Sequence, residues 1–202
     1  MAVITTAEQL SEVYGSPSPR AAAKVIDRLD RHCRQFIANS PFMVLATSSG
    51  DTLDVSPKGD PAGFVKVEDD HHLIVPDRPG NNRIDGLLNL LRNPAMAVIF
   101  FIPSVDETLR VNGTAEIRDD ESLRQLCALN GKLPKTVLRV RVREVFSHCG
   151  KAPLRAGLWK PETWPAQRPV ATLNEIVRDH SGLAVDSIEQ SAVDELYAKT
   201  LY

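Results

Sequence analysis

The chain has 202 residues, of which 43% are apolar, 25% charged and 5% aromatic, and 24 Lys and Arg stand against 26 Asp and Glu. That is the make-up of one ordinary globular domain, long enough to bury a core without disulfides or structural metals. With a formal charge of −2 there is no basic surplus to drive generic binding to nucleic acid or an anionic membrane, so any anion site has to be built locally.

Cys33, Cys127 and Cys149 are far apart, form no C-x-x-C pair and have no zinc-like grouping with histidine; they read as buried apolar residues or idle thiols. The longest apolar stretch, 95–103, is too short for a bilayer, which needs about 20 residues. The first ten residues carry no basic leader followed by an apolar run, so a cytoplasmic protein is expected.

In chain order, Thr5-x-x-Glu8 is a capping box that opens a short helix to Tyr14. Ser18 and Pro19 restart the chain, and Ala22, Ile26, Leu29, Cys33, Phe36 and Ile37 recur at three and four. That spacing predicts one amphipathic helix ending near Asn39. Strands are expected over 42–47 and 52–56 around the turn 48–51, then over 64–67 and 72–75 around an acidic turn. Ile84, Leu87, Leu88 and Leu91 give a helical face that closes before Asn93-Pro94. The run 95–102 reads as a buried strand, while 108–117 and 137–147 alternate as half-buried strands do. A short helix opens at Asp119 or Asp120, the stretch after Ser147 is irregular to Pro169, and helices are expected over 172–181 and 186–200. Without βαβ units, the pattern favours a closed or nearly closed antiparallel barrel.

Four segments could carry chemistry. Asn81 and Asn82 before Arg83 open a helix, where free N–H groups, amides and a guanidinium suit a phosphate; the plainer reading is an Asn-capped turn with Arg83 in solvent. Lys58, in Ser56-Pro57-Lys58-Gly59-Asp60, could add a point charge to the same phosphate if the sheet joins the two loops, or be a surface lysine. Glu107 and Arg110 could pair or line a cleft. His148, Lys151, Arg155 and Trp159 follow the longest strand and could form a cationic pocket with a stacking wall for a planar anionic cofactor, or a wrapping loop anchored by Trp159. Hydrolase, Walker and Rossmann motifs do not occur.

Ser56-Pro57-Lys58-Gly59-Asp60, Pro76-Asp77-Arg78-Pro79-Gly80-Asn81-Asn82-Arg83 and Glu107-Thr-Leu-Arg-Val-Asn-Gly113 resemble the FMN-binding proteins related to pyridoxamine 5'-phosphate oxidase. His148-Cys149-x-Lys151-Ala152…Arg155…Leu158-Trp159 is similar to a subgroup of FMN-dependent enzymes within them. The resemblance runs from about Pro41 to Trp159. It implies a mainly β (α+β) fold: a six-stranded antiparallel Greek-key flavin split-barrel over 41–159, with N-terminal helices (1–40) packed on it and a C-terminal helical extension (160–202). It also implies a homodimer with FMN at the subunit interface. By the same resemblance Lys58, Arg78, Asn82 and Arg83 hold the phosphate, with Pro76 and Asp77 in the same loop. Asp54, Val55 and Ser56 run along the isoalloxazine edge, and Lys151, Arg155 and Trp159 approach the flavin. The Trp and Arg-x-His segment that holds pyridoxal phosphate in the vitamin-metabolising oxidase has no counterpart here.

The expected function is an FMN-dependent oxidoreductase exchanging two electrons with a small-molecule substrate, with neither nucleic acid nor membrane as partner. A flavin carrier without turnover and a haem-binding relative using His148 or a barrel histidine as axial ligand are the alternatives. No catalytic side chain and no metal ligand is assigned.

Overall fold

The structure, a computed structural model, describes residues 3–182 and 190–200. Seven strands form one antiparallel sheet: β1 (Phe42–Ser48), β2 (Leu53–Gly59), β3 (Lys66–Val67), β4 (His72–Asp77), β5 (Ala95–Phe101), β6 (Thr108–Arg118) and β7 (Thr136–His148), in spatial order β2-β1-β5-β6-β7-β4-β3. The sheet thus has seven strands rather than six. The additional one is β3, two residues long, which pairs Lys66 with Ile74 and Val67 with Leu73 at the edge.

The sheet curls on itself. Leu45 of β1, Val98 of β5, Val111 of β6, Val140 of β7 and Val75 of β4 belong to one apolar cluster, although β1 and β4 lie three strands apart in the order. Leu45 and Val75, from opposite halves of the order, also line one cavity, which a flat sheet would not allow. Two ion pairs, rather than a hydrogen-bond ladder, then bridge the gap: Lys58 on β2 with Asp77 on β4 (3.1 Å), and Asp60 just after β2 with Arg78 just after β4 (2.6 Å). The arrangement is consistent with a split barrel.

Helices flank the sheet. α1 (Ala7–Tyr14) is capped one residue later than expected: Thr6 is the N-cap and Gln9 completes the box. Both frames satisfy the sequence pattern, and in the observed one Gln9 Oε1 accepts from the N–H groups of Thr5 and Thr6. The single helix expected over 18–39 is two, α2 (Pro19–Ala23) and α3 (Arg31–Asn39). Between them the Ile26 backbone pairs with Val145 in both directions (3.0 and 2.7 Å), and Leu29 N–H donates to Asp70 O. Ile26 and Leu29 kept their apolar spacing because they pack on the core, but strand-like pairing took their backbone.

Asp30 is the N-cap of α3; its carboxylate accepts from His32 and Cys33 N–H at 3.0 and 2.9 Å. Those bonds, the Cys33 one foremost, hold its carboxyl below the usual range. Asp30→Ala is therefore expected to cost about 1 kcal/mol of stability near neutral pH. Since the folded carboxyl titrates below the unfolded one, the cap's contribution is complete above about pH 4 and disappears as pH falls through the folded value. Urea unfolding of wild type and variant at pH 7 and pH 2.5 checks both points.

α4 (Asp85–Arg92) packs on β1 and β2. α5 (Glu121–Leu126) covers the outer side of β4 and β7, where Ile74, Val137 and Cys127 form a second small cluster. The stretch after β7 is not irregular: α6 (Lys151–Ala156) and a 3-10 turn (Pro161–Thr163) follow it directly. α7 (Leu173–Ser181) starts at the expected Thr172–Glu175 capping box. α8 spans Gln190–Thr200, and the expected helix start over 186–189 lies outside the described residues. No helix among the described residues is long and apolar enough to cross a membrane.

Burial, and then the neighbouring Asp30 carboxylate, pushes the Cys33 thiol up to about 12; burial also raises Cys127. Only Cys149 is exposed. A maleimide at pH 8 is expected to label Cys149 alone in the folded protein and all three thiols in urea, read by mass spectrometry.

Candidate functional site

β2 is an edge strand, bonded only to β1, which is where a proline such as Pro57 is tolerated. Its side chains alternate. Asp54, Ser56 and Lys58 turn inward, and Val55, 67% exposed, turns out. The inward set faces a cavity of about 330 Å³ that lies under the gap in the sheet. Pro76, Asp77, Arg78, Asn82 and Arg83 close its other side, with Ile84, Gly86 and Leu87 from the start of α4. Leu45, Val75 and Leu138 make the apolar wall.

The loop from Arg78 to Arg83 is shaped by its asparagines. Asn82 has φ 58°, a left-handed conformation that asparagine tolerates better than most residues. Asn81 Oδ1 accepts the Arg83 N–H at 2.9 Å, an Asx turn that delivers the chain into α4. The N-cap Ile84 offers no side-chain acceptor, so the first-turn N–H groups of α4 lack a side-chain cap where the helix adjoins the cavity. Gly86 lets Asp54 lie close against α4: a Cβ there would stand 2.7 Å from Asp54 Oδ2 and push that carboxylate aside. Asp54 in turn accepts from Ser56 Oγ at 2.8 Å.

Each cation of the loops has a carboxylate partner. Arg83 pairs with Asp85 (2.8 Å) and is 77% exposed; Lys58 pairs with Asp77; Arg78 pairs with Asp60. Four cations (Lys58, Arg78, Arg83, Lys135) and two carboxylates (Asp54, Asp77) line the cavity; Asp60 and Asp85 pair with Arg78 and Arg83 from behind it, so the charges balance before an anion binds.

Two residues that sequence reasoning missed belong to it. Lys135 Nζ reaches across to Asn82 Oδ1 at 3.2 Å, and the Thr136 hydroxyl, buried, has no hydrogen-bond partner. Their position follows from the β4–β7 register, which sets Asp77 opposite Thr136. That pairing joins segments almost sixty residues apart, and nothing local in the sequence marks it.

Within this chain the 148–159 segment does not join the cavity. Lys151 and Arg155 lie exposed on α6, and Trp159 Nε1 donates to Val105 O at 2.9 Å. His148 sits edge-on to Phe146 at 5.2 Å. Burial first, then Lys24 and Arg110, lowers its pKa and favours the neutral imidazole. Arg110 lies over the Phe146 ring and donates to Asn112 at 3.4 Å; no ion pair joins it to Glu107 among the described residues.

In chemical terms the cavity has charge and donors for a phosphate at one side and apolar walls beside them. Solved structures similar to the chain include HupZ of Group A Streptococcus (22% identity over 58% of this chain and 92% of that one, TM-score 0.47). Others are General Stress Protein 26 of Bacillus anthracis (17%, 56% and 88%, TM-score 0.45) and an FMN-binding protein of Syntrophomonas wolfei (15%, 57% and 83%, TM-score 0.45). At this level of likeness none of them bears on the chemistry of this chain. No curated protein matches it. The family model of pyridoxamine 5'-phosphate oxidase matches residues 29–149, more than half of the sequence, and the chain belongs to that family.

Proposed function

We propose that the protein is an FMN-dependent oxidoreductase of Greek-key flavin split-barrel type that works as a homodimer, with the flavin phosphate held in the cavity between β2, the 78–83 loop and β7. One observation carries the reading: Lys58, Lys135 and the stretch that joins Arg83 to the uncapped start of α4 come from three separate parts of the chain and line one cavity. The Thr136 hydroxyl, without a hydrogen-bond partner among the described residues, adds a donor.

Bound FMN would supply two-electron chemistry through its ring system. The residues of the chain bind and orient it. Lys58, Arg83 and Lys135 balance the phosphate charge, and the α4 N–H groups and Thr136 supply directional donors. Asp54 and Ser56 lie along the open edge of β2, and Leu45, Val75 and Leu138 keep water from the inner wall. Leu53 and Val55, 82% and 67% exposed on the outward side of β2, support dimerisation through this edge. Lys151, Arg155 and Trp159 would then approach the flavin of the partner subunit.

The test is to add FMN to the purified protein, remove free flavin by gel filtration and record the absorbance, then reduce anaerobically and mix with quinone, nitro compound or oxygen. Retained flavin that an acceptor rapidly reoxidises is the expected result. Flavin lost on the column would overturn the reading, and retained flavin that no acceptor reoxidises would favour a carrier.

A further inference from the structure

The outer face of the sheet carries a second cationic site, independent of the flavin reading. β4, β7 and β6 lie side by side, and their register sets His72, Arg141 and Thr114 in one row. The core-facing residues of these strands, Leu73, Val140, Val142 and Ala115, alternate with that row, so the row faces away from the flavin cavity. A bulge follows on β7. Asn112 faces Glu144 and Gly113 faces Val142, which leaves Arg143 without a ladder partner. Only glycine fits at 113, since a Cβ there would overlap the Arg141 carbonyl (2.1 Å). Arg141 and Arg143 both remain exposed.

Two cavities, of about 680 and 510 Å³, share His72, Thr114, Arg141 and Arg143 and so form one groove. The other charges around it already have partners. Arg139 is held by Glu68 (2.8 Å), Glu116 by Arg118 (3.1 Å), Asp27 by Arg28 (3.6 Å) and His72 by Asp69 (2.9 Å). Neither Arg141 nor Arg143 has an ion-pair partner among the described residues.

Glu68, Asp69 and His72 lie close enough for a shared metal ion, but Arg139 holds Glu68 and His72 holds Asp69. The exposed guanidiniums are what remains to be satisfied.

We propose that this groove binds a small diphosphate-bearing molecule, one phosphoryl group to each guanidinium. Arg141 and Arg143 stand on either side of Val142 at the bulge and line the same groove; planar guanidinium forks bind phosphoryl oxygens bidentately, so two neighbouring forks suit two linked phosphoryl groups. Thr114 and the histidines border the same space with further polar groups.

Inorganic pyrophosphate is the probe. It is titrated calorimetrically into the full chain at constant ionic strength, with and without saturating FMN. A saturable site that FMN does not displace is expected, weakened about tenfold or more in Arg141→Ala and in Arg143→Ala and unchanged in Arg83→Ala. Both arginines are exposed, and circular dichroism confirms that the variants fold. The proposal is overturned if no saturable binding occurs, or if the two variants bind as wild type does. It also falls if Arg83→Ala alone abolishes binding, which would assign the heat to the flavin cavity, or if a DNA duplex binds the same arginines more tightly than pyrophosphate.

Discussion

Arg78→Ala is expected to destabilise the fold by about 3 kcal/mol, because it takes the guanidinium away from the Asp60 carboxylate, whose side chain is only 3% exposed. The guanidinium it removes is itself 14% exposed and bonded at 2.6 Å, so water cannot easily take its place. The pair crosses the gap in the sheet, and its loss loosens the closure that shapes the cavity. Arg34–Asp70 is the internal contrast. It is equally short at 2.6 Å, but its side chains are 39% and 66% exposed, and Arg34→Ala should cost no more than about 1 kcal/mol. Urea denaturation measures both. The double variant Arg78→Ala/Asp60→Ala should recover much of the loss, since no charge is then left buried.

The second large effect is on the flavin. Lys58→Ala is expected to weaken FMN binding about 100-fold and Arg83→Ala about tenfold, as read by flavin fluorescence titration. Lys58 is more enclosed, and its removal also leaves Asp77 unneutralised beside the phosphate. Arg83 stands mostly in solvent and shares its charge with Asp85, which places it at the lower end of the range for a charged hydrogen bond. Equal affinity in wild type and Lys58→Ala would count against the assignment of the phosphate to this cavity.

Much of this architecture is written in local pattern. β1, β5, β6 and β7 show their burial as alternation or as an apolar run, and Asn81, Asn82 and Arg83 mark the turn into α4 by turn chemistry alone. The misses have physical causes. The backbone of Ile26 pairs with Val145, a contact over more than a hundred residues that apolar spacing cannot reveal, although Asp30 ahead of α3 is a readable N-cap. α6 was hidden by its Pro153, which reads as a breaker but is tolerated in a first turn; Gly157, in the left-handed conformation, was the stop signal. Lys135 and Thr136 enter the cavity only through strand register. Sequence could locate the 78–83 loop, but not the far wall of the cavity it borders.

Whether the cavity grips a phosphate is tested by comparing the affinities of FMN and riboflavin for the purified protein. The two share the ring system and the ribityl chain and differ only in the phosphate. FMN binding at least about 100-fold tighter is expected, with the advantage shrinking as Lys58 or Arg83 is replaced. Equal affinity for the two flavins would contradict it.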